Sequence, residues 1–140
     1  VDLRLRAGPD APAIARRALA EDHVPDELLE DAQLVVSELV TNGVRHGGSD
    51  PTRWLGVRAR LRPGGLRIEV CDPGPGFAPP PPLPRSGSPV GGRGLPIVDR
   101  LARRWGAGRT ADGRWEVWAE IDRRDPADPS SRRTRSHGAS

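Results

Sequence analysis

Two stretches of this chain read as strand pairs closed by tight turns. Apolar and polar residues alternate in "RWLGVRARLR" (53–62) and "GLRIEVCD" (65–72), joined by Pro63-Gly64-Gly65. They alternate again in "RWEVWAEI" (114–121), which "AGRT" (107–110) precedes across Asp112-Gly113. Alternation with period two is the mark of a half-buried strand, and Pro-Gly and Asp-Gly are hairpin turns. Two hairpins demand mostly antiparallel pairing. That disfavours a doubly wound nucleotide fold, in which strands and helices alternate strictly.

The remaining periodic segments are helical, apart from a short first strand "DLRLR" (2–6). "PDAPAIARRALAE" predicts a helix with Pro12 in its first turn and Ala11, Ile14, Ala15, Ala18 and Leu19 on one face. Pro25 ends it. "DELLEDAQLVVSELVTNGVRHG" is the strongest helix, with Asp26 as its expected N-cap and Gly47-Gly48 closing it. Its buried arc is Leu28, Ala32, Val35, Val36, Leu39 and Val40. "LPIVDRLARRWG" (95–106) predicts an amphipathic helix with Ile97, Val98, Leu101, Ala102 and Trp105 on its stripe. The order β-α-α-β-β-loop-α-β-β implies an α+β two-layer sandwich, a mixed and mostly antiparallel sheet covered by helices on one face. Residues 1–121 make one domain. Residues 122–140 hold almost no apolar side chains and are expected to be a disordered tail.

Composition excludes several functions. All 22 basic residues are Arg, so a lysine-bearing P-loop is impossible, and any phosphate must be held by backbone N–H groups, Arg or a metal. Residues 1–121 carry 17 Arg against 16 acidic residues, which argues against a nucleic-acid surface. No apolar run approaches the ~20 residues of a membrane span. The single cysteine, Cys71, cannot pair within the chain and is read as core packing. A reducing cytoplasm is the simplest setting. The four Trp are read as core or partner surface, with no chemistry assigned.

Three short motifs carry chemistry. Glu38 and Asn42, the only asparagine, lie one helical turn apart, about 40° from each other on one flank of the buried arc. They face either solvent, as an ordinary polar flank, or the edge of an active site. In the second case the carboxylate could accept a proton or orient a nucleophile, and the amide oxygen could ligate a hard cation such as Mg²⁺. "CDPGPGF" (71–77) follows a strand, and Gly74 and Gly76 permit a plain turn or close approach of a ligand. "GGRGLPIVDRLA" (91–102) runs glycines into a helix that starts near Gly94 or Leu95, since Pro96 fits only a first turn. N–H groups and the positive end of the helix dipole then meet at the glycines, where a phosphate is the natural guest. His46 points by helical phase toward the core and is read as structural.

In this order and spacing the motifs resemble the N box ("ELVTNGVRHG") and the two glycine boxes ("DPGPGF", "GGRGLPIVDRLA") of the GHKL ATPases, which share the Bergerat ATP-binding fold. The wording looks most like the anti-sigma-factor serine/threonine kinases, specifically small actinobacterial ATP-binding proteins. The resemblance covers about residues 10–121. It implies that Asn42 binds Mg²⁺, that Glu38 is the general base, and that Asp72 receives the adenine amino group. It places Gly74 and Gly76 beside the adenine, and Gly92, Arg93 and Gly94 under the phosphates, with Leu95 opening the helix behind them. The segment from Phe77 to Val90 matches the ATP lid. It departs from the family in carrying five prolines among residues 79–84, a stiff polyproline II stretch.

The implied activity is that of a cytoplasmic Mg²⁺-ATP-dependent protein serine/threonine kinase that regulates transcription. It would phosphorylate an anti-sigma antagonist and bind a sigma factor, with a homodimer left open and neither nucleic acid nor membrane as a direct partner. A non-catalytic ATP-binding protein-interaction module is the alternative. A histidine-kinase catalytic domain fits less well, because none of His23, His46 and His137 sits in a dimerising phospho-acceptor helix.

Overall fold

The computed structural model describes residues 1–46, 52–71, 95–109, 111 and 114–124. Its elements are β1 (Asp2–Arg6), α1 (Ala11–Glu21), α2 (Asp26–His46), β2 (Trp54–Arg62), β3 (Gly65–Cys71), α3 (Leu95–Leu101), β4 (Arg104–Arg109) and β5 (Trp115–Asp122). The order is the expected one. The strands form one five-stranded sheet in the order β1-β2-β3-β5-β4. Every pairing among the described residues is antiparallel.

Alternation decides the two faces. Leu55, Val57 and Ala59 of β2, Leu66, Ile68 and Val70 of β3, and Val117, Ala119 and Ile121 of β5 are buried beneath the helices. All six residues of the expected arc of α2 are buried in the same core. Sheet and helices therefore make two layers around one core. In the first hairpin Gly64 has φ +79°, which suits the glycine after Pro63. A Cβ on Gly65 would lie 2.1 Å from the carbonyl oxygen of Ile121, so β5 can pair here only with glycine.

Several expectations are corrected. Asp26 is the first residue inside α2 rather than its cap, because the Pro25 carbonyl already accepts from the N–H of Leu28 (2.8 Å) and Leu29 (3.0 Å). Ile14 is 42% exposed, since α1 packs through the narrow row Ala11, Ala15 and Leu19. The third helix stops at Leu101, and Trp105 belongs to β4. There the Arg103 N–H donates to the Glu120 carbonyl (2.8 Å), so sheet pairing takes over the backbone from the helix. Cys71 is half-buried on the outer face of the sheet, not in the core. β5 runs through Asp122, and side-chain hydrogen bonds extend to Arg124. The segment expected to form the Pro-rich lid, the glycines 47–48 expected to close α2, the Asp-Gly turn expected at 112–113, the side chain of His46 and the residues beyond 124 lie outside the described residues.

Candidate functional site

The C-terminal half of α2 ends against the strand ends that lead into the site. A Cβ on Gly43 would lie 3.3 Å from Leu55 Cδ2 and 3.5 Å from Val70 Cγ1, so glycine lets the last turn of the helix sit close on β2 and β3. Val70 is two residues before Asp72. α3, which follows the second glycine motif, packs against α2 with Val98 fully buried. Its Asp99 accepts a 3.0 Å hydrogen bond from the Trp105 indole, which fixes α3 to β4. One corner of the fold thus gathers the end of α2, the end of β3 and the helix after the glycines.

Of the expected site residues, Glu38 and Asn42 are placed at this corner by α2. Glu38 is half-buried at the rim. Asn42 is buried, with 6% of its surface exposed. Its Oδ1 is buried and has no hydrogen-bond partner among the described residues. A buried acceptor left without a donor costs about 1–3 kcal/mol, so such an atom calls for a ligand. An amide oxygen is a suitable ligand for Mg²⁺, which takes few protein oxygens and completes its shell with water and phosphate. No group of three His, Cys, Asp or Glu among the described residues could hold a metal by itself. Leu95 opens α3, as expected. Asp72, Gly74, Gly76, Gly92, Arg93 and Gly94 lie outside the described residues.

The opposite face of the sheet is chemically different. Arg62, Arg67 and Arg104 converge on Glu120, with Arg67 Nη1 at 3.0 Å from Oε1 and Arg104 Nε at 2.6 Å from Oε2. The Arg104 hydrogen bond is the largest cause holding the Glu120 carboxyl down at about 2. Arg67 and Arg62 add to it, and desolvation opposes it. Arg67 and Arg104 also stack over Trp118, at 4.2 and 6.0 Å from its ring centre. Beside them lies a cleft of about 420 Å³, lined by Arg58, Arg67, Arg114, Glu69, Glu116 and Cys71 among others. Burial, and then Glu69, push the Glu116 carboxyl up. Burial also pushes the Cys71 thiol up, which keeps it protonated and a poor nucleophile at neutral pH. Acids and guanidiniums are interleaved in this cleft, so it lacks the uniform sign a polyphosphate needs. It lies across the sheet from Asn42, and the corner at α2 is the better candidate.

Sequence reasoning missed Arg53. It is buried, with 7% exposed, and its Nη2 donates to the Gly43 carbonyl. Nothing in the sequence separates it from the other Arg around β2, most of which are exposed. The pairing of Asp31 with Arg124 was also missed, because the two are 93 residues apart.

The sequence matches the family of histidine kinase-like ATPase domains over residues 3–120. No curated protein matches it. Among solved structures it is similar in fold to the crystal structure of the RsbU and RsbW domains of Rv1364c from Mycobacterium tuberculosis, with TM-score 0.57 and 21% identity. The match covers 91% of this chain and 34% of that one, so the chain spans about a third of the relative's length. No described helix is long and apolar enough to cross a membrane.

Proposed function

The chain belongs to the histidine kinase-like ATPase family, and from that premise we propose that it binds Mg²⁺-ATP and transfers the terminal phosphoryl group to a Ser or Thr hydroxyl of a protein. The resemblance of its three motifs to those of anti-sigma-factor kinases favours an anti-sigma antagonist as acceptor and a sigma factor as the partner under control. The observation that carries the proposal is the buried Oδ1 of Asn42, an acceptor without a donor among the described residues, one turn beyond Glu38.

Phosphoryl transfer needs positioning and charge neutralisation more than covalent chemistry from the protein. Bound Mg²⁺ would neutralise phosphate charge, and Asn42 would hold it through Oδ1. Glu38, half-buried at the rim, would accept the proton of the attacking hydroxyl and orient its oxygen. Asp72, as a carboxylate, would accept hydrogen bonds only, and so select adenine with its amino group over guanine with its carbonyl. Gly74 and Gly76 would border the base, and the N–H groups around Gly92, Arg93, Gly94 and Leu95 would meet the phosphates.

Two variants test the roles. Glu38→Gln is expected to keep ATP affinity while phosphoryl transfer to an antagonist-type acceptor falls roughly 10²–10⁴-fold. Asn42→Ala is expected to weaken Mg²⁺-dependent binding itself. Full transfer by Glu38→Gln would reject it as the base. ATP binding without transfer by the unmodified chain would make it a nucleotide-dependent interaction module instead.

A further inference from the structure

Arg53 grips the same corner from the strand side. It stands one residue before β2, and its guanidinium is almost wholly out of water. Nη2 donates to the carbonyl of Gly43, the residue that follows Asn42. That carbonyl lies in the last turn of α2, at the negative end of the helix dipole, where a cation is favoured. The main chain of Arg53 is held as well, because its carbonyl accepts from the Ala7 N–H at 2.8 Å. Below the same turn, Gly43 is seated against Leu55 and Val70. The backbone beside Asn42 is therefore held by packing on one side and by a charge-assisted hydrogen bond on the other. Burying a guanidinium is costly unless it is well bonded, and a neutral apolar side chain would pack a strand end at lower cost. What Arg53 adds over such a residue is a fixed direction for the last turn of α2.

We propose that Arg53 is a positioning residue for the metal-binding amide of Asn42, fixing through the Gly43 carbonyl the direction in which Oδ1 is presented. The inference rests on the reading of Asn42 as the Mg²⁺ ligand. Groups that orient metal ligands from behind typically change metal affinity 10–100-fold when removed. A purely structural role would instead lower stability and weaken nucleotide binding with and without metal alike.

The test is titration of the folded chain with ADP at a series of Mg²⁺ concentrations and in EDTA, with melting curves as a control. Arg53→Ala is expected to raise the Mg²⁺ concentration for half-maximal strengthening about 10-fold, leaving metal-free ADP affinity within twofold. Arg53→Lys, which keeps a cationic donor, is expected to recover most of the loss. If Arg53→Ala does not fold, Arg53→Gln takes its place, with a shift of at least threefold expected. Asn42→Ala separates the two levels. If it loses the Mg²⁺ dependence while folded Arg53 variants keep that of the unmodified chain, this inference is overturned and the metal site stands. If Asn42→Ala keeps the dependence unchanged, the metal site falls and the role of Arg53 falls with it.

Discussion

Glu120 shows how much one side chain can organise on an open sheet face. Three guanidiniums share its two oxygens, and with Trp118 they form a lattice across β2, β3, β5 and β4. Its carboxyl is held at about 2, against 4.5 for a free glutamate. A depressed carboxyl stabilises the fold fully above its unfolded value, and the contribution is lost as pH falls from about 4.5 toward 2, where the unfolded chain takes up the proton first. Arg62 and Arg104 are about half exposed or more, so water screens much of the attraction. Glu120→Gln is expected to lower stability by about 1–2 kcal/mol at pH 7. Denaturant midpoints should show that gap closing between pH 4.5 and 2, and a gap independent of pH would refute the role of the charge. Residue-level chemistry was legible only in part. Glu38 and Asn42 stood out because their phase on a strongly periodic helix puts them at its rim. Arg53 did not, because its burial depends on how α2 meets β2, which no local pattern encodes.

Among the elements, α2 and the hairpin strands followed from periodicity, since each has one period sustained over several residues. The junction of α3 and β4 did not. A helical stripe places Val98, Leu101 and Trp105 on one side, and strand alternation also turns Trp105 inward, opposite Ala119. Burial of Trp105 was therefore visible while its element was not, and pairing with β5 decided the matter. The first hairpin carries a similar ambiguity between two adjacent glycines. By turn chemistry alone Gly64, with φ +79°, is the sensitive one. Yet a Cβ there meets nothing within 4 Å, whereas one on Gly65 strikes the Ile121 backbone. Gly64→Ala is expected to cost about 1–2 kcal/mol, the usual strain of a left-handed residue. Gly65→Ala is expected to cost at least ~3 kcal/mol, because a strand must move to relieve the overlap. Thermal unfolding of the two variants checks the order, and a milder Gly65→Ala would mean that β5 yields easily at its end.

At the scale of the molecule, α2 joins the two layers and is fastened at both ends. Arg53 holds its last turn, and the chain leaving β5 holds its beginning. The Arg123 N–H donates to the Gly64 carbonyl (2.7 Å), and its side chain reaches Glu27 (3.2 Å). Arg124 then forks onto Asp31, with Nε at 2.9 Å from Oδ2 and Nη2 at 2.6 Å from Oδ1. Among the described residues Asp31 is one of the few buried charged groups, 8% exposed, and this fork compensates its carboxylate. The residues just after 121 are therefore tied to the fold by charge rather than by hydrophobic burial. Two truncations separate these contributions. Deleting 125–140 removes a segment poor in apolar residues and is expected to leave melting temperature and ATP affinity unchanged. Deleting 123–140 strips Asp31 of its partner and is expected to cost ~2 kcal/mol, the scale of an uncompensated charge-assisted bond. For a domain of this size that is roughly a 5–10 °C fall in melting temperature. Asp31→Asn in the shorter chain should recover part of the loss, since a neutral amide is less penalised by burial than a lone carboxylate. Equal melting temperatures for the two truncations would show that the fork adds nothing to the fold. A loss that Asp31→Asn deepens would place its origin in the Arg123 contacts instead.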